Sequence, residues 1–115
     1  MPVLFAFALP ALFLTVADVV PSYDVRPTCR AAMEMMGNQG RTVDNCMDSE
    51  RAARADVAKN WSGVPKEEKT RCVQTALERG SPSYVELLIC LEMNYDSRIR
   101  QQQLKIEPKL KTQTK

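Results

Sequence analysis

The chain has 115 residues, 16 Lys and Arg, 14 Asp and Glu, four Cys and no His. That length holds one small domain. The absence of histidine excludes triads of the Ser-His-Asp or Cys-His kind, and it removes the commonest zinc ligand.

Residues 2–17 carry no charge and hold all three Phe. The apolar run Val3–Leu14 is shorter than the about 20 residues that span a bilayer. With Thr15 and Ala17 before the first charge at Asp18, it fits a secretory signal over residues 1–17. Retention as an uncleaved anchor is the alternative, and Pro10 interrupts a spanning helix. No Lys or Arg precedes the apolar run, which departs from the usual signal pattern. The expected location is periplasmic or secreted, with no transmembrane span after removal of the signal.

Residues 18–27 hold Pro21 and Pro27 and no apolar period, so they read as an extended lead-in. Thr28 suits the cap of a short helix over Cys29–Met36, ended by Gly37. Thr42 or Asp44 suits the cap of a second helix running to about Trp61. Val43, Cys46, Met47, Ala53, Val57, Ala58 and Trp61 recur on one face of it at spacings of three and four. Asp48, Arg51, Arg54, Asp56 and Lys59 take the opposite face, and Glu50 stands four residues before Arg54 as an ion-pair partner.

Ser62-Gly63-Val64-Pro65 breaks that pattern. Pro65 suits the first turn of a third helix, with Glu67 and Glu68 at its positive end. Cys72, Val73, Ala76 and Leu77 form its buried face, and Gly80 ends it. Ser81 as cap and Pro82 at the first position then open a fourth helix. Tyr84, Val85, Leu87, Leu88, Ile89, Cys90, Leu91 and Met93 make it apolar nearly all round, which places it at the centre. A strand is the alternative for this run, given Tyr84, Val85 and Ile89, but the Ser-Pro start and the length favour helix. No period of two is sustained anywhere. The fold class is all-α: a four-helix domain of two helical hairpins over residues 28–97.

Four Cys in a short exported chain read as two disulfides, with three connectivities open. Cys72 and Cys90 lie nine residues either side of Ser81, so an antiparallel hairpin sets them side by side. Cys46 and Cys72 lie 17 and 9 residues from Gly63, which fixed disulfide distances resist. The favoured pairing is Cys72–Cys90, and Cys29–Cys46 follows by elimination. Gly falls eight residues after both Cys29 and Cys72, the trace of an internal repeat. The chain lacks a C-x-x-C, so metal and redox roles for these Cys are not expected.

The pattern C-x16-C-x3-E-x2-A-R, ending Cys46-Met47-Asp48-Ser49-Glu50-Arg51-Ala52-Ala53-Arg54, is followed by Trp61 and Cys72. With the run Gly80–Met93, it resembles small exported proteins of alphaproteobacteria, of rhizobial type, over residues 22–95. That resemblance implies an exported cysteine-bridged helical domain and no chemistry. A fainter similarity is to helical, cysteine-bridged periplasmic inhibitors of the lysozyme-inhibitor type, from which no functional residue carries over.

Met33, Met35, Met36 and Met47 gather near the first loop. Thioethers hold Cu(I), but they also fill irregular cores, and no cofactor is expected. Glu86 and Glu92 stand six residues apart, about 600° around a helix, so they face different ways. That argues against a paired-carboxylate hydrolase, and no enzymatic activity is expected. Trp61 is the only Trp, suited to sealing the bundle or to anchoring a partner.

Residues 98–115 carry Arg98, Arg100, Lys105, Lys109, Lys111 and Lys115 against Glu107, net +5. Residues 18–97 hold ten basic and thirteen acidic residues, net −3. Pro108 is expected to end any helix here, leaving a partly disordered basic tail. Such a tail suits an anionic surface or an envelope protein; without interleaved aromatics, specific nucleic-acid binding is not expected. The expected function is a non-enzymatic exported module acting by contact, with an enzyme inhibitor or stress protein as the alternative. The surface-contact candidates are Trp61, Arg98, Arg100, Lys105, Lys109 and Lys111.

Overall fold

A computed structural model of the chain describes residues 19–37, 42–78 and 80–113. The expected signal at residues 1–17 lies outside the described residues. Those described form four α-helices and no strand: α1 (Arg26–Met36), α2 (Val43–Asn60), α3 (Lys66–Leu77) and α4 (Tyr84–Gln113). A 3-10 turn, Trp61–Gly63, follows α2. None of the described helices is long and apolar enough to cross a membrane.

The helices pair as two cross-linked hairpins. Cys29–Cys46 ties α1 to α2, with a Cα–Cα distance of 5.6 Å. Cys72–Cys90 ties α3 to α4 at 5.5 Å. The hairpins join where α4 packs against α2 as well as α3. Leu87 and Leu91 of α4 meet Ala53, Val57 and Trp61 in one core that also takes in Cys72 and Ala76. Each bridge closes a loop of under 20 residues, contributing about 3 kcal/mol in the chain-entropy model.

The helix starts differ from the sequence expectations in informative ways. α1 begins at Arg26, not Cys29, because Pro27 supplies its fixed φ to the first turn. Asp24 Oδ1 accepts from the Arg26 N–H at 3.3 Å. Thr28 lies inside the helix, and its hydroxyl donates to the Pro82 carbonyl at 2.7 Å. The end is as expected: Gly37 sits at φ +63°, left-handed. Thr42 does cap α2, its hydroxyl accepting from the Asn45 N–H at 3.1 Å.

Two expectations for α2 fail together. Ala58 is exposed, and Glu50 is buried, at 4% exposure. Glu50 does not spend its carboxylate on Arg54. It turns inward to the start of α4, as described below. Pro65 stands just before α3 as its cap residue rather than in its first turn. Glu67 and Glu68 do occupy that first turn, beside its unpaired N–H groups. Gly80, at φ +77°, donates to the Leu77 carbonyl at 3.1 Å and closes α3.

α4 is not buried all round. Among the described helices it packs mainly on α2 and α3, and Ile89 and Met93 face outward. It also continues through Pro108 to Gln113. A proline there removes the bond to the Leu104 carbonyl. Because residues 101–109 are all exposed, water reaches that carbonyl and the helix persists.

Candidate functional site

The start of α4 is set by α2. Glu50 Oε2 accepts the Tyr84 N–H at 2.6 Å and the Val85 N–H at 3.4 Å. Glu50 Oε1 accepts the Ser83 hydroxyl at 2.6 Å. Ser83 Oγ in turn accepts the Glu86 N–H at 3.3 Å, and the Ser83 carbonyl takes the Leu87 N–H. The first four N–H groups of α4 are thus all satisfied, and a carboxylate stands at the positive end of the helix. The cap residue is Ser83, two positions later than Ser81, because only Ser83 reaches Glu50.

The lead-in strap closes over the same corner. The Tyr84 hydroxyl donates to the Pro21 carbonyl at 2.8 Å and accepts the Tyr23 N–H at 2.7 Å. The rings of Tyr23 and Tyr84 lie 4.8 Å apart. Burial pushes the Tyr23 phenol above its ordinary pKa of 10.0, and the neighbouring Tyr84 adds to the rise. The corner is a structural clamp that ties the lead-in to the start of α4.

The open surface lies further along α4. A groove of about 630 Å³ runs between α4 and the end of α2 with its following turn. Its floor holds Val57, Leu88 and Leu91; Asp56, Glu92 and Asp96 line its rim. Sequence reasoning singled out Glu92 but missed Asp56 and Asp96. The signal was there for Asp96, which stands four residues after Glu92 on the same helix face. Glu86 lines a separate groove beside Ile89, Cys90 and Met93, so the two glutamates do face different ways. Asp56, Glu92 and Asp96 are exposed, which makes the groove an acidic field that attracts cations and basic segments.

The expected contact residues distribute as follows. Trp61 is buried in the core at 5% exposure, and Lys69 Nζ sits 5.0 Å from its ring centre. It takes the bundle-sealing place rather than a surface one. Arg98 lines the acidic groove, contacts Glu68 of α3 at 2.5 Å and lies over the Tyr95 ring at 5.6 Å. Arg100, Lys105 and Lys109 stand on exposed turns of α4, and Lys111 lies within the same helix. All four Cys are in the two bridges.

The methionines do not converge. Met33 is buried, Met47 packs against the core, and Met35 and Met36 are exposed. Among the described residues, no cluster of three or more Cys, Asp or Glu is arranged to hold a metal. Asn94 instead covers the second bridge, donating to the Cys90 carbonyl at 2.8 Å and to Cys72 Sγ at 3.4 Å.

Compared with known families, curated proteins and solved structures, the chain matches none. Function is therefore argued from this chain's own surfaces.

Proposed function

We propose that the chain is an exported, non-enzymatic contact module, in which the disulfide-stapled body holds α4 out as the binding element. One observation carries the reading: α4 runs well past its last packed turn, with residues 101–109 all exposed. A helix with no packing has little stability of its own at this length, so an exposed extension gains most from a partner. It also carries Arg100, Lys105 and Lys109 together with Leu104 and Ile106, two large apolar side chains more than half exposed. Two disulfides support an oxidising compartment, and with it the signal-peptide reading of residues 1–17. The resemblance to small exported helical proteins supports the same location.

A second reading, a periplasmic enzyme inhibitor, draws on the acidic groove at Asp56, Glu92 and Asp96, which suits a basic segment of an enzyme.

The test is capture from an envelope extract and from anionic vesicles, using the oxidised chain and a form ending at residue 97. The contact reading expects binding that is lost on removal of residues 98–115. Binding unchanged by that removal contradicts it. Binding lost on Glu92→Lys, but kept without the tail, favours the inhibitor.

A further inference from the structure

The geometry points to a second copy of this chain as the occupant of the α4 face, docked antiparallel, α4 against α4, about a two-fold axis at Ile99. The inference rests on the contact reading above and names its partner.

The first support is the pattern along α4. Leu88, Glu92, Tyr95, Ile99, Gln102 and Ile106 follow one another at spacings of four and three, the seam of a helix pair. The inner half of this seam lies in the groove, where Leu88, Glu92 and Tyr95 line it. The outer half opens progressively: Ile99 is half-buried, Gln102 is exposed and Ile106 is 54% exposed. One continuous stripe therefore begins in a groove and ends on a bare helix. An antiparallel copy lays its bare half into the other's groove, twice over, which is the self-complementary arrangement of a two-fold interface.

Charge supplies the second support. The groove half is acidic on balance, with Asp56, Glu92 and Asp96 against Arg98, and the bare half is basic on balance, with Arg100, Lys105 and Lys109 against Glu107. In a parallel pair like charges would meet. In the antiparallel pair centred on Ile99, Asp96 of one copy lies beside Arg100 of the other, on the same flank of the seam. On the other flank, Lys105 is carried toward Asp56. In the same register Glu107 stands near Glu92, an unfavourable approach.

The measurement is sedimentation equilibrium of the oxidised chain over a concentration series, at low and at physiological salt. A dimer that tightens at low salt is expected, and a monomer for the form ending at residue 97. Asp96→Arg and Arg100→Glu, both exposed positions, should each weaken dimerisation about tenfold or more through like-charge approach. Mixing the two variants should restore it, since both interface pairs are then opposite in sign. Glu107→Lys should tighten it. A chain monomeric throughout the series overturns the inference, as does a mixture that associates no better than either variant alone. A monomer that still captures a protein or vesicles through residues 98–115 overturns the dimer while leaving the contact reading standing. A monomer that captures nothing overturns both.

Discussion

The carboxylate of Glu50, in the middle of α2, accepts the backbone N–H of Tyr84, the first residue of α4, at 2.6 Å. Thirty-four residues separate them in sequence. The contact fixes where α4 starts and which way it leaves the body. Charge-assisted hydrogen bonds of this kind contribute about 1.5–3 kcal/mol each when water is excluded. Glu50→Ala should cost about 2–4 kcal/mol of stability, by leaving the first N–H groups of α4 buried and unpaired. Glu50→Gln keeps an acceptor and should cost less than half of that. Urea unfolding of the three proteins checks the order, and equal stability of Glu50→Ala and the parent would refute the clamp.

Each disulfide is expected to matter on its own. Replacing Cys29 and Cys46 together by Ser should remove about 3 kcal/mol, and so should replacing Cys72 and Cys90. A body this small has little apolar surface to spare, so the chain lacking both bridges should lose its cooperative thermal transition. Circular dichroism melts of the two double variants and the fourfold variant test this. Peptide mapping of the oxidised chain should find only the pairs Cys29–Cys46 and Cys72–Cys90.

Much of this frame was legible in the chain. Gly37 and Gly80 marked two helix ends, and Cys72 and Cys90, equidistant from Ser81, marked a hairpin. Glu50 was not legible, because its local neighbours offered an ordinary surface ion pair with Arg54. Its true partners are backbone groups on a distant helix, and spacing rules do not see them. Ser81-Pro82 misled for the same reason, since the cap that won was the serine within reach of Glu50. Pro108 misled because a proline stops a helix most surely where its unpaired carbonyl is buried, and residues 101–109 lie in water. The contact face needed the three-dimensional body as well: Asp56 joins Glu92 and Asp96 only after α2 folds alongside α4.

Alkaline pH should loosen the lead-in strap. The raised pKa of Tyr23 means that the folded state favours the protonated phenol. Its contribution is therefore complete below the unfolded value of about 10 and is lost as pH rises through the folded value. Comparing the parent with Tyr23→Phe by ultraviolet titration isolates this phenol. The Tyr23 signal should appear at higher pH than a free tyrosine, and Tyr23→Phe should hold its stability further into the alkaline range. A Tyr23 that titrates like free tyrosine contradicts the buried strap.

Trp61 offers a check on the core. Trp61→Ala should cost about 3–5 kcal/mol, the range for removing a large buried ring. In the folded parent a dissolved quencher should reach its fluorescence poorly, and unfolding should remove that protection. Strong quenching in the native state would move Trp61 back to the surface.

The most direct measurement of the central claim, that α4 beyond the body is a contact face, is amide hydrogen exchange along α4 in the oxidised chain. In dilute solution residues 84–91 should exchange slowly and residues 99–109 fast, because only the first group is packed. On concentration, residues 99–109 should become slow in the parent but stay fast in Asp96→Arg. Slow exchange of residues 99–109 already in the dilute monomer would contradict the account, since the body itself would then be holding the segment.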